Sequence, residues 1–301
     1  MSEDHYAALP SGTTICYRDH GDPADPVILL IAGLGEDLTF WPGSFVDSLL
    51  ARGFRVVTMD NRDVGRSTFV TTPSPRLWRQ VLARPRRDAY TLADMAADAV
   101  GVLDHLDIRR AHLAGRSMGG MIAQTVAAAE PARVLSLTSI FSTTGAKKVG
   151  QPARSTIRLL AAPPARTRTA TVRAHLRITS HVSGTAYPID DAAEAATAAG
   201  GWDRATGDLA AGAARQIQAI QASGDRTAQL RRITAPTLVI NGDRDLLVAP
   251  SGGAATAKAI RDARHVVIPG MGHHIPEALV EPITRYLAEH ATTQGKASAS
   301  S

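Results

Sequence analysis

Three short stretches of the chain hold residues whose types and spacing suit attack on a carbonyl carbon. The first is Gly115-Arg116-Ser117-Met118-Gly119, a G-x-S-x-G pentapeptide followed by a further glycine, Gly120. A serine hydroxyl is a weak nucleophile at neutral pH. It needs a base to take its proton and a carboxylate to orient that base. Both residue types follow in chain order. Asn241-Gly242-Asp243-Arg244-Asp245 offers two carboxylates, and Pro269-Gly270-Met271-Gly272-His273-His274 offers two histidines. The residues alone leave Asp243 beside Asp245 and His274 beside His273 as rivals. A glycine-rich turn can exist only to pack tightly, and a lone histidine is more often structural. The order Ser, Asp, His, with each residue just past an apolar run, favours chemistry here.

The elements that must position these residues are legible from the apolar patterning. Val27–Ile31 reads as a strand buried on both faces, and 54–59, 111–115 and Val134–Ile140 read as its companions. Two more follow, ending at Ile240 and Ile268. Helical spacing lies between them, at Phe45–Leu50, from a Thr91 cap through Leu106, and at Met118–Ala129 up to Glu130-Pro131. Strands alternating with helices predict an α/β fold with a mostly parallel, doubly wound sheet. In such a sheet, ligands and reacting groups gather at the C-terminal ends of the strands. Ser117 at a strand-to-helix junction sits on a sharp turn where flanking glycines relieve contacts that a Cβ would create.

Residues 141–230 break the rhythm. They are rich in Ala, Arg and Thr and interrupted by Pro163-Pro164, Gly184, Pro188 and Gly200-Gly201, so they read as a helical cap inserted between two sheet strands. The expected organisation is a core of 1–140 and 231–291, the cap 141–230, and a flexible tail 292–301. Topology carries the insertion over Ser117, where Leu159, Tyr187 and Trp202 are its candidate substrate-facing bulk. The loop from Thr68 to Tyr90 is the alternative determinant of specificity.

Composition removes several function classes. At 301 residues the chain can bury a sizeable core, and 44% hydrophobic with 20% charged residues is ordinary for a globular protein. No apolar run approaches the roughly 18 residues of a membrane span, and the polar opening Met-Ser-Glu-Asp-His-Tyr lacks a secretory pattern, so a cytoplasmic location is expected. The single Cys16 excludes an intramolecular disulfide. No H-E-x-x-H spacing occurs, so neither a metal nor another cofactor is called for. The net charge of +5 comes from arginines spread along the chain, with only 4% aromatic residues, which argues against nucleic acid as partner. The expected partner is a small-molecule ester, and homodimerisation stays open.

These motifs together resemble the α/β-hydrolases over nearly everything outside the insertion. The resemblance implies Ser117 as nucleophile at the G-x-S-x-G elbow, Asp245 as the acid of the G-x-x-D element from Gly242, and His273 as the base of the G-x-G-H element. Met59-Asp60-Asn61-Arg62-Asp63-Val64-Gly65-Arg66-Ser67 resembles the family's D-x-R-G-x-G-x-S stretch with Asp63 in place of the first glycine. That departure, Trp41, the opening Gly21–Pro26 and the ending Ile268–His273 most resemble the aclacinomycin methylesterase type of serine esterase. The implied reaction is ester cleavage through an acyl-enzyme, on a methyl ester of a bulky natural product in antibiotic biosynthesis. A lactonase or thioesterase with the same triad, or a non-catalytic ligand-binding protein of this fold, are the alternatives. The family's usual His-Gly after its third strand is here Ala32-Gly33, followed by Leu34-Gly35. By position the oxyanion donors are the N–H groups of Leu34 and Met118, with Gly33 beside the substrate.

Overall fold

The computed structural model describes residues 3–298. Eight strands form one sheet: β1 (His5–Ala8), β2 (Thr14–His20), β3 (Val27–Ile31), β4 (Arg55–Met59), β5 (Ala111–Arg116), β6 (Val134–Ile140), β7 (Thr237–Gly242) and β8 (Arg264–Ile268). Their order is β1-β2-β4-β3-β5-β6-β7-β8. The pairs β1–β2 and β2–β4 are antiparallel, and every later pair is parallel. The antiparallel edge is the part that patterning did not reveal. Its first strand, His5-Tyr6-Ala7-Ala8, has only Ala7 buried, so it carries no apolar run.

The central strand β3 shows why the sheet needs cover on both sides. Leu29 and Ile31 enter one core cluster with Met95, Val102, Ile122 and Val126, whereas Ile28 and Leu30 enter the other with Phe45, Leu49, Ile283 and Leu287. Side chains alternate between faces with period two, so a strand that is apolar throughout requires helices on each side. On the first face lie α3 (Leu92–His105) and α4 (Met118–Ala129); on the second lie α1 (Gly43–Leu50) and α11 (Glu277–Ser298). Thr91 caps α3 as read from the sequence: its Oγ1 accepts from the N–H groups of Ala93 and Asp94, and the Asp94 carboxylate accepts the Thr91 N–H at 2.7 Å.

The remaining helices are α2 (Leu77–Val81), α5 (Arg154–Leu160), α6 (Arg168–Val182), α7 (Asp191–Arg204), α8 (Leu209–Ser223), α9 (Thr227–Leu230) and α10 (Ser251–Ala259). Helices α5 to α9 all lie between β6 and β7. The last of them, α9, rests on α4 and α10 and buries Leu230 in the first core cluster.

At the C-terminus the expected tail from residue 292 is helical as far as Ser298, and 299–301 lie outside the described residues. The reason is cooperative. Leu279, Val280, Ile283 and Leu287 anchor α11 on the sheet, and an established helix adds residues without needing new packing. No helix among the described residues is long and apolar enough to cross a membrane.

The chain runs from β3 to β4 on one side and then from β3's other neighbour β5 outward, so strand order reverses between β3 and β5. The loops leaving the C-terminal ends of these two strands are therefore adjacent, and they hold Gly33-Leu34 and Ser117 respectively.

Candidate active site

Ser117 stands between β5 and α4 with φ 54° and ψ −120°, a left-handed backbone that a non-glycine residue adopts only under constraint. The constraint is close packing of the turn. A Cβ on Gly119 would run into the carbonyl oxygens of Ile31 and Ala32, so that position admits only glycine while the elbow lies against β3. The Ser117 N–H donates to Ile140 O at 2.9 Å, and its carbonyl accepts from Ser142 Oγ at 2.8 Å. These bonds tie the turn to the end of β6 and leave the hydroxyl turned outward.

His273 lies 2.9 Å from that hydroxyl through Nε2, and 2.6 Å from Asp245 Oδ2 through Nδ1. With the carboxylate accepting from Nδ1–H, Nε2 is left to accept the Ser117 O–H, a tautomer assigned from the hydrogen-bond pattern. Asp245 is held in turn by the N–H groups of Leu247 and Val248, each donating to Oδ1 at 2.8 Å. The histidine loop is fastened from above: the His273 N–H donates to Val182 O at 2.7 Å and the Gly272 N–H to Ser183 O at 2.9 Å, both at the end of α6. A Cβ on Gly272 would strike Val182 O, which accounts for the glycine before this histidine. The Phe141 ring lies against the imidazole, centroids 4.4 Å apart.

The rivals are occupied elsewhere. Asp243 accepts the Gly270 N–H at 2.6 Å, and His274 Nε2 lies 3.2 Å from Glu194 Oε1. Thus the structure brings Ser117, His273 and Asp245 into one chain of hydrogen bonds and leaves Asp243 and His274 outside it.

A family model of the alpha/beta hydrolase fold matches residues 26–277. The chain belongs to this family. Over 301 aligned residues the hydrolase is 31% identical to rhodomycin D methylesterase DauP of Streptomyces sp. (strain C5), covering 90% of this chain and 92% of that relative. Identity and coverage are the same for rhodomycin D methylesterase DnrP of Streptomyces peucetius. Among solved structures it resembles the enol-lactonase from Burkholderia xenovorans LB400, with 28% identity and a TM-score of 0.72 over 96% of this chain and 100% of that one.

A cavity of about 830 Å³ opens beside Ser117 and His273 and is walled largely by apolar side chains of the inserted helices, among them Leu159, Ile178, Val182, Trp202 and Leu209. Leu34, Leu159 and Trp202 line it. Tyr187 does not. Its hydroxyl donates to Pro269 O at 3.1 Å and its ring packs against the second core cluster, because the Gly270 turn draws the segment 186–187 down onto the sheet end. Gly33 also stays behind the wall: its N–H is taken by Glu36 Oε2 at 2.8 Å, although a Cβ there would come within 3.4 Å of Ser117 Cβ. The Met118 side chain is buried in the core, but Met118 opens α4, so its N–H has no carbonyl one turn back to bind.

Sequence reasoning missed the polar residues that hold the inserted helices to the sheet. Arg204 of α7 reaches Asp60 (3.1 Å), Asp37 (3.1 Å) and Asp4 (3.0 Å), and Arg215 of α8 pairs with Asp63 at 2.6 Å. Asp63 has φ 70°, a left-handed backbone that aspartate tolerates better than most residues. Burial pushes the Asp60 carboxyl up, against the pull of Arg204. Glu194 of α7 lies between His175 Nε2 (2.7 Å) and His274, and all three face the cavity. Burial would raise Glu194, but the two histidines hold its carboxyl well below the usual range. Among the described residues no group of His, Cys, Asp and Glu gathers to hold a metal ion.

Proposed function

We propose that this hydrolase cleaves a carboxylic ester by nucleophilic catalysis. Ser117 Oγ attacks the ester carbonyl while His273 Nε2 takes its proton, and Asp245 stabilises the imidazolium that results. Charge developing on the carbonyl oxygen is met by the N–H groups of Leu34 and Met118 at the positive end of α4. The tetrahedral intermediate expels the alcohol, which receives the proton from His273, and leaves an acyl-Ser117. Water, deprotonated by the same histidine, then releases the acid and regenerates the serine.

One observation carries this reading: the continuous Ser117–His273–Asp245 hydrogen-bond chain opening into a large apolar cavity. The substrate class that fits best is a methyl ester on a bulky natural product, supported by similarity to the two rhodomycin D methylesterases and by the cavity volume of about 830 Å³. Similarity to the enol-lactonase supports a second reading, a lactone opened by the same three residues.

The test is a comparison of methyl ester, p-nitrophenyl ester, lactone and thioester turnover by the purified protein and by Ser117→Ala. The variant is expected to lose at least about four powers of ten in kcat while keeping its fold, and a phosphonate probe is expected to label Ser117 in the parent alone. Near-normal turnover by Ser117→Ala would sink the serine-hydrolase reading. Faster lactone than ester turnover would select the second substrate class.

A further inference from the structure

The loop after β3 begins with Ala32, whose methyl group can make no polar contact, yet its backbone is closely held. Asn61 Nδ2 donates to Ala32 O at 3.0 Å, Glu36 Oε2 accepts the Gly33 N–H at 2.8 Å, and Gln216 Oε1 of α8 accepts the Gly35 N–H at 2.8 Å. The Glu36 N–H turns back to Gly33 O at 3.4 Å. Among the described residues the Leu34 N–H has no acceptor, and Leu34 lines the cavity. The amides on both sides of Leu34 are thus occupied, and its own is left free at the edge of the cavity that Ser117 also lines.

Glu36 does more than hold Gly33. Its other carboxylate oxygen accepts from Arg116 Nη2 at 2.7 Å, and Arg116 is the residue immediately before Ser117. Arg116 Nη1 donates to Phe40 O at 3.0 Å, and its guanidinium lies between the Trp41 and Phe141 rings, 5.8 and 5.7 Å from their centroids. The Arg116 side chain is only 6% exposed, so its position is set by packing as well as by charge.

We infer that the Glu36–Arg116 pair is the device that positions the oxyanion loop, doing from Glu36 what Ala32 has no side chain to do. One carboxylate spans the nucleophile elbow and the loop opposite, fixing the distance between the Met118 and Leu34 N–H groups. Both are positioning residues, acting through the backbone rather than on the substrate. The inference rests on Ser117 being the nucleophile.

Glu36→Ala frees the Gly33 N–H and strands a buried guanidinium. Its expected effect is a fall of about 30- to 100-fold in kcat with KM changed less than about threefold, because a misplaced donor is felt mainly in the transition state. Affinity for a trifluoromethyl ketone, which forms a tetrahedral adduct, is expected to fall in parallel. Glu36→Gln keeps one acceptor oxygen for the Gly33 N–H but turns its NH2 towards Arg116, donor against donor, so it loses the Arg116 contact and is expected to recover only part of the loss, to within about tenfold of the parent. The double variant Glu36→Met/Arg116→Met removes both charges together, so it guards against misfolding from an unpaired buried ion; it is expected to match Glu36→Ala in kcat. Parent-like kcat in Glu36→Ala, or in the double variant if the single one does not fold, would overturn the proposal. So would a fall in kcat with unchanged ketone affinity. Ser117→Ala runs alongside: full turnover there defeats the underlying serine mechanism, whereas its loss together with an active Glu36→Ala defeats the brace alone.

Discussion

At the scale of single residues the outcome turned on which of two neighbours meets the serine. His273 and His274 are adjacent in sequence, yet one lies between Ser117 and Asp245 and the other faces Glu194. The backbone there is held by the end of α6, which accepts the N–H groups of both Gly272 and His273 and leaves no room for a Cβ at Gly272. Replacing His273 by alanine is therefore expected to lower kcat/KM on a p-nitrophenyl ester by about four powers of ten, and His274→Ala by less than about tenfold. Asp245→Ala is expected to cost far more than Asp243→Ala, although less than loss of the base, because the acid orients and stabilises rather than accepting the proton. Steady-state kinetics on the four variants decide this. An Asp243→Ala enzyme worse than Asp245→Ala would mean that the hydrogen-bond chain observed is not the one used.

At the scale of elements, the inserted helices form the larger part of the cavity wall, opposite the loops that leave the strand ends. Leu159 sits at the end of α5 and Trp202 in the last turn of α7, both on the cavity wall, whereas Tyr187, in the link between α6 and α7, is spent on a bond to Pro269. Trp202→Ala and Leu159→Ala are expected to shift the ratio of kcat/KM for bulky over small esters by about threefold to tenfold, as removal of a few buried carbons from a pocket does. Tyr187→Phe is expected to leave that ratio unchanged. The measurement is a competition between a naphthyl and an acetyl ester. Equal profiles for all three variants would move specificity to another wall of the cavity, beginning with Leu34, Phe40 and the loop that follows β3.

At the scale of the whole molecule, stability carries a pH signature from histidines that catalysis does not use. His112 on β5 is buried beneath the sheet with Nδ1 2.8 Å from Ser136 Oγ, and burial, with smaller pushes from His290 and Arg110, lowers it to about 4 from an ordinary 6.5. The unfolded chain therefore binds a proton at this residue between those two values and the folded chain does not. Stability is complete above the unfolded value, falls as pH drops from about 6.5 towards about 4, and loses nothing further from this group below that. The shift corresponds to a loss of about 3 kcal/mol at most. Urea unfolding at pH 7.5 and 4.5 is expected to show a smaller drop for His112→Gln than for the parent. His20, His265 and His290, also lowered by burial, add acid sensitivity of the same sign. An identical drop in parent and variant would assign the acid limb elsewhere.

Sequence patterning alone determined the parallel body of the sheet and brought Ser117, the Asp243–Asp245 pair and the His273–His274 pair to the C-terminal ends of its strands. Apolar runs of strand length can be buried only between two helical layers, and a strand, glycine and serine passing into a helix allow few backbone paths. The family resemblance chose Asp245 over Asp243 and His273 over His274 from motif register. The antiparallel edge was not legible, because half-exposed strands such as His5–Ala8 lack a periodic apolar signal. Only the tertiary structure decided what braces the oxyanion loop, what lines the cavity, and how the inserted helices are tied down. Each of those depends on pairs distant in the chain: Gly35 with Gln216, Asp63 with Arg215, Asp60 with Arg204, and Glu36 with Arg116. A charged or amide side chain has no periodicity that announces its partner. Its meaning is set by the few ångströms that folding places between it and a group many residues away.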